Sequence, residues 1–177
     1  HWHVQNANSV ITTRQKKRVP TSWTSTWYST WNAATCDFEA NGYRLPTEAE
    51  WEWLARGGEN YEYAGSDNIY DVAWFDDYII ISGTEGTREV KTKAPNGYGL
   101  YDMSGNVYEW CWDWYGGSIS DSTASDGAAS GNLRVLRGGC WYYEVNGCQI
   151  YSHGGYGPDC RNNNYGFRVV RPSSIIY

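Results

Sequence analysis

Gly97-Tyr98-Gly99-Leu100-Tyr101-Asp102-Met103-Ser104-Gly105-Asn106-Val107-Tyr108-Glu109-Trp110-Cys111-Trp112-Asp113-Trp114 begins in glycine turns and ends with aromatics at 108, 110, 112 and 114. A period of two is that of a β-strand. It predicts a strand over 108–114 that presses one aromatic face inward. Upstream, Arg44-Leu45-Pro46-Thr47-Glu48-Ala49-Glu50-Trp51 carries the T-x-x-E pattern, in which the Thr hydroxyl and the Glu carboxylate satisfy each other's free amides. A helix should start at Thr47 and stop at the Gly57-Gly58 pair. Downstream, Arg134-Val135-Leu136-Arg137 and Gly166-Phe167-Arg168-Val169-Val170-Arg171 read as strands around a stretch with few aliphatic side chains.

The segments between carry weaker signals. Residues 59–88 lack a 3.6 period and read mostly as loop, with Tyr78-Ile79-Ile80-Ile81 a short strand bounded by Gly83. Residues 116–131, built of Gly, Ser, Asp and Ala, read as a mobile surface loop. Trp23, Trp27 and Trp31 recur every four residues, the spacing of one helical face, among poor helix formers. They predict a marginal helix facing the core.

Composition sets the outer bounds. The chain has 177 residues, 41% of them hydrophobic, with 11 Trp and 16 Tyr but only 3 Phe. That is enough for one domain with a sizeable core and excludes a disordered polar chain. No apolar run reaches the length of a membrane span. Net charge is −6 and the basic residues are scattered, apart from Arg14-Gln15-Lys16-Lys17-Arg18, so nucleic acid is not an expected partner. That basic run reads as a solvated segment. The chain opens His1-Trp2-His3 without Met, as a mature or trimmed fragment does. Five cysteines, at 36, 111, 140, 148 and 160, form no CxxC pair, which argues against a zinc ribbon or a thioredoxin-type site.

Four blocks together resemble the formylglycine-generating-enzyme and sulfatase-modifying-factor family: Tyr43 to Glu52, Gly97 to Trp110, Arg137-Gly138-Gly139-Cys140-Trp141, and Gly166-Phe167-Arg168. The resemblance implies an α+β domain of the C-type lectin fold, formylglycine-generating-enzyme-like subtype, irregular and with few regular elements. It covers residues 43–177, with residues 1–42 a weaker-matching N-terminal segment of the same domain. Aromatic side chains suit such a fold, because a few indoles and phenols fill a core that short strands alone cannot.

Function has to be read from the site. The oxidases of the family hold copper on two cysteines in the pattern G-G-S-W-x-C-x-x-x-x-C, where soft thiolates suit Cu(I). By that resemblance the first thiol falls on Tyr143 and the second on Cys148. A phenol cannot replace a thiolate on Cu(I), so no copper and no oxidase activity are expected. Cys140 lies three residues from the required position, and Cys148 reads as a small buried side chain. His1, His3 and His153 do not make the iron-binding set of a sulfoxide synthase.

Residues 142–165 are drawn mostly from Tyr, Asn, Gly, Ser, His, Asp and Cys, with no Lys, Leu, Met, Phe or Trp. An ordinary long loop explains the Gly and Asn but not Tyr142, Tyr143, Tyr151, Tyr156 and Tyr165. Changing only the adenines of an AAC codon yields Asn, Tyr, Ser, Gly, Asp, His and Cys, and cannot yield Lys, Gln, Glu, Met or Trp. Asn162-Asn163-Asn164 then looks like unaltered template, while Glu144 and Gln149 should be template-encoded or fixed, as should Val145, Cys148, Pro158 and Arg161. This resembles the variable proteins of diversity-generating retroelements, such as Treponema variable surface proteins. The resemblance implies a ligand-binding, non-enzymatic protein at the cell surface or outside the cell, with a variable region at about 140–165 and a protein or cell-surface ligand. The expected contact residues are Tyr142, Tyr143, Asn146, Tyr151, Ser152, His153, Gly155, Tyr156, Asp159, Asn162, Asn163, Asn164 and Tyr165. Trp141, Cys148 and Phe167 should point inward to hold the scaffold. The alternatives are an oxidase or other sulfatase-modifying relative and a glycan-binding lectin, although no Glu-Pro-Asn tripeptide of the calcium-dependent lectins occurs.

The family also implies one structural Ca²⁺, held by Ser104, Gly105, Val107 and Glu109 through backbone carbonyls and the Glu carboxylate, a set of hard oxygens; the alternative is that Glu109 only hydrogen-bonds the loop. Asp76-Asp77 and Glu48/Glu50/Glu52 read as solvated faces and not as acid–base pairs.

Overall fold

The computed structural model describes residues 2–3, 33–77, 85–116 and 130–172. The expectations for 14–18, 23–31, 78–81 and most of 116–131 fall outside these residues.

Helix α1 spans Glu48–Arg56 with Thr47 as its N-cap and Gly57, at φ 61°, as its C-cap. Thr47 Oγ1 accepts from the Glu50 amide at 3.1 Å and Glu50 Oε2 accepts from the Thr47 amide at 2.8 Å, so the expected capping box forms. At the other end the Asn96 side chain donates to the Leu54 and Ala55 carbonyls, at 2.7 and 3.0 Å, which helix geometry leaves free. The helix buries Trp51, Leu54 and Ala55. Within 59–88, expected to be mostly loop, a short helix α2 at Ile69–Val72, capped by Asn68, leads into strand β2 at Ala73–Trp74.

The main sheet has four strands in the order β6-β5-β4-β7, with β4 at Tyr108–Trp114, β5 at Arg134–Arg137, β6 at His153–Tyr156 and β7 at Tyr165–Gly166. Strands β4, β5 and β6 are antiparallel neighbours and β7 runs parallel to β4. Two small ladders complete the frame. Strand β3 at Ser104–Gly105 pairs in parallel with β2, and β1 at Trp2–His3 pairs with β8 at Arg171–Pro172. One core gathers Trp51, Leu54, Met103, Val135, Ile150 and Val170 between helix and sheet, and a second joins Ile69, Val72, Phe75 and Cys148.

Strand β4 forms where expected but presents its other face to the core. Glu109, Cys111 and Asp113 are buried, and Tyr108, Trp110, Trp112 and Trp114 are half-buried. Two carboxylates face inward, Glu109 with three donors and Asp113 with a backbone amide. Glu109 accepts from Trp51 Nε1 at 2.7 Å and from Arg168 Nε and NH2 at 2.6 and 2.7 Å. Asp113 accepts from the Glu48 amide at 2.7 Å. On the outer face the Arg134 guanidinium lies 3.5 Å from the Trp114 ring centroid and 4.9 Å from that of Trp112. The C-terminal strand is likewise shorter than expected. It breaks after Gly166, turning Arg168 to Glu109 and leaving Phe167 48% exposed instead of inward.

The glutamates of α1 do not form a solvated face. Glu50 holds Arg44 at 2.6 Å, Glu52 holds Arg137 at 2.6 Å and Arg56 at 2.7 Å, and Glu48 lies 2.9 Å from His153 Nδ1. Burial, together with the nearby Glu48 and Glu50 carboxylates, pushes Asp113 up to about 6 from its ordinary 3.8. The folded state therefore binds this proton more tightly than the unfolded chain between those values, and stability falls as pH rises from 4 to 7, by on the order of 3 kcal/mol for this group. Asp113→Asn keeps an acceptor for the Glu48 amide. It is expected to be more stable than the parent at pH 7 and to lose that advantage at pH 4, which chemical denaturation at the two pH values measures.

Candidate functional site

The chain between β5 and β7 leaves through Gly138 and Gly139, both at positive φ (89° and 72°). A Cβ on Gly139 would fall 2.6 Å from the Gly147 carbonyl oxygen and 2.7 Å from Cys148 Sγ, so the two limbs of the loop approach there too closely for any side chain. Trp141 turns inward and its amide donates to the Asn106 carbonyl at 2.9 Å. A 3₁₀ turn at Val145–Cys148 then buries Cys148 beside Phe75 and Val72.

Much of what fastens this segment to the body runs through its main chain. Ser104 Oγ donates to the Cys148 carbonyl at 2.8 Å, and the Ile150 amide donates to the Glu62 carbonyl at 3.0 Å. Arg137 NH1 donates to the carbonyls of Tyr151 and Ser152, both at 3.1 Å. The Asp76 amide donates to the Tyr143 carbonyl and the Tyr108 amide to that of Asn164, at 3.3 and 2.8 Å. Strand β6 adds ladder pairing to β5 over four residues, from Arg134↔Tyr156 to Arg137↔His153. The Gln149 side chain is one of the exceptions: it donates to Glu62.

With the backbone held in this way, the side chains surround an open cleft of about 520 Å³ whose walls include Tyr108, Tyr143, Asn146, Tyr151, His153 and Tyr156. The rings meet edge to face: Tyr108 and Tyr143 have centroids 5.4 Å apart at 79°, Tyr108 and Tyr165 6.2 Å apart at 75°. Tyr156 packs on Tyr165 at 5.3 Å. Burial, with phenol neighbours adding to it, holds the Tyr108 and Tyr165 protons far above the ordinary phenol range. Both rings are neutral at any physiological pH.

Of the expected contact residues, Tyr143, Asn146, Tyr151, Ser152, His153 and Tyr156 come together at the cleft. Tyr142 is 63% exposed but stands outside it, packed on Trp141 with centroids 5.6 Å apart. Asp159, Asn162 and Asn163 are exposed on the following loop and do not line the cleft. Three positions need correction or qualification as contacts. Asn164 is buried, its Nδ2 3.3 Å from Cys140 Sγ. Gly155 presents no side chain, and a Cβ there would lie 2.3 Å from Tyr115 Cγ, so β6 packs that face against the ring. Tyr165 is half-buried behind Tyr156 and Trp110. Tyr108, missed as a cleft residue, starts β4 opposite Tyr165; the signal was the alternation itself, once its aromatic face is taken as the outer one.

At the two positions of the copper pattern, Tyr143 is an exposed phenol and Cys148 a fully buried thiol, pushed up to about 12 mainly by burial. All five cysteines are free thiols. Among the described residues no three His, Cys, Asp or Glu side chains gather at a spacing that would hold a metal. The calcium set does not fit its ion. The Glu109 carboxylate, the side-chain ligand of the expected set, is already neutralised by Arg168 at both oxygens. A dication would have to sit against that guanidinium. The partners of the Glu109 carboxylate are Trp51 on α1 and Arg168, not the 104–107 loop of the alternative reading.

A family model for the sulfatase-modifying factor enzyme 1-like domain matches residues 8–173. The formylglycine-generating enzyme of Streptomyces coelicolor is 34% identical over 193 residues, covering 99% of this chain and 59% of the enzyme. The serine/threonine-protein kinase pkn1 of Chlamydia pneumoniae is 40% identical over 150 residues, covering 80% of this chain and 23% of the kinase. Among solved structures, Treponema denticola variable protein 1 superposes with a TM-score of 0.73 at 41% identity, over 80% of this chain and 52% of that protein. The chain thus spans less than two thirds of the length of each of these three proteins.

Proposed function

Since the chain belongs to the sulfatase-modifying factor enzyme 1-like family and has its C-type-lectin-like fold, we propose that it is a non-enzymatic binding protein. In this reading the loop from Tyr142 to Tyr165 is a surface diversified at the DNA level by a retroelement and displayed to a protein or cell-surface ligand outside the cell. The observation that carries it is the coincidence of two patterns. Residues of the adenine-mutated type converge on one cleft, while backbone atoms supply much of what holds the loop. Tyrosine suits the purpose because it offers a rigid amphipathic surface with little entropy to lose, while Asn, Ser and Gly adapt around it. The phenol at Tyr143 and the proton held on Cys148 argue against Cu(I) chemistry at these positions. Among the described residues no helix is long and apolar enough to cross a membrane.

The triple change of Tyr142, Tyr151 and Tyr156 to Ser removes three exposed rings. It is expected to alter stability by no more than about 1 kcal/mol and to abolish binding of peptides selected from a random library on the parent. A loss of several kcal/mol in urea denaturation would overturn the reading. A reverse-transcriptase gene beside a near-copy of codons 140–171 that differs only at adenines would establish the source of variation. The second reading, an oxidase, is favoured by the 34% identity to the Streptomyces enzyme and by the retained Cys148. Stoichiometric Cu(I) binding with turnover of a cysteine-containing peptide would establish that reading instead.

A further inference from the structure

The cleft is rich in ring faces and oxygen atoms and poor in positive charge. Among the described residues no Lys or Arg side chain lines it. Glu144, next to Tyr143 in the chain, is exposed, and Glu48, which also lies 3.6 Å from Arg137, is 2.9 Å from His153 Nδ1. The nearby internal cation, Arg137, is fully buried and committed to Glu52 and two loop carbonyls. The chain as a whole carries −6.

An aromatic ring is negative on its faces, so converging phenols attract a cation, and a guanidinium adds a planar fork of donors that stacks on a ring while reaching hydroxyl oxygens. Ser152 Oγ, which donates to the Asn146 carbonyl at 2.5 Å, keeps its lone pairs for such a donor. Room for an inserted side chain lies over Gly154, where an added Cβ would meet nothing within 4 Å. Its neighbour Gly155, pointing the opposite way, is closed by Tyr115.

We propose that the cleft between Tyr143, Tyr151 and Tyr156 takes an arginine side chain of a protein partner, stacked on the phenols above Gly154. This rests on the binding-surface reading and names what that surface recognises. The test is an NMR titration of the full chain with N-acetyl-arginine amide against its neutral near-isostere, N-acetyl-citrulline amide. The arginine compound should shift the ring signals of Tyr108, Tyr143, Tyr151 and Tyr156 and the Gly154 amide. Citrulline should bind at least about fivefold more weakly. Gly154→Leu should abolish the response by filling the space. Tyr151→Leu, at a side chain 59% exposed, should weaken it about threefold and serves if Gly154→Leu does not fold. Equal binding of the two amides, shifts elsewhere on the surface, or no shifts would overturn the arginine assignment. The triple tyrosine-to-serine change, read on stability and on library-selected peptides, tests the underlying binding-surface reading separately.

Discussion

Arg137→Met is expected to lower the unfolding free energy by about 3 kcal/mol, the low end for breaking a buried ion pair, seen as a lower urea midpoint. The side chain is 0% exposed and its guanidinium lies over the Trp51 ring at 5.1 Å. It donates to Glu52 at 2.6 Å and to the Tyr151 and Ser152 carbonyls, with Glu48 at 3.6 Å. Methionine fills much of the volume but strands two loop carbonyls with no donor. Glu52 keeps Arg56 at 2.7 Å, which is why the loss should not approach the upper end. Arg137→Lys should recover only part of it, because one ammonium cannot span acceptors that lie on both α1 and the loop. Amide hydrogen exchange over residues 151–153 should accelerate in the methionine variant ahead of global unfolding.

Glu109→Gln should cost a comparable amount, again about 3 kcal/mol by thermal or urea denaturation. Three donors converge on this 2% exposed carboxylate, one from Trp51 and two from Arg168. An amide offers one oxygen and one NH2 group, so at least one donor must face another donor, and Arg168 loses its counter-charge. For the same reason calcium chloride and EDTA should leave the parent's Tm unchanged. A calcium-dependent rise in Tm that Glu109→Gln abolishes would restore the ion to this site.

What the sequence discloses and what it hides separate by the range of the interaction. Helix α1 is legible because its start signal is local: Thr47 and Glu50 cap each other three residues apart, and Gly57 ends the last turn. Strand β5 is legible as a short branched run. The orientation of β4 is not, since hydrophobicity alone puts Trp and Tyr inside. The partners that let Glu109 and Asp113 go inside instead are 59 residues downstream at Arg168 and 65 upstream at Glu48. The same distant pairing turns Arg168 in and Phe167 out. In the candidate site, residue type identified Tyr143, Tyr151 and Tyr156, because exposure of many phenols in one loop has few structural uses, but it missed Tyr108 on β4. It could not separate Gly154 from Gly155 or Asn163 from Asn164. Those pairs differ only in which side of the backbone meets a neighbour.

The carbonyl oxygens that Ser104 and Arg137 grip at Cys148, Tyr151 and Ser152 are atoms every amino acid possesses. A codon rewritten at 151 therefore changes what the surface says without changing how these carbonyls bind it to the page. The number of foldable versions then multiplies with each such position instead of shrinking. Under the proposed binding role, a population carrying this gene would sample many surfaces while discarding few chains to misfolding, and selection would act on recognition almost independently of stability.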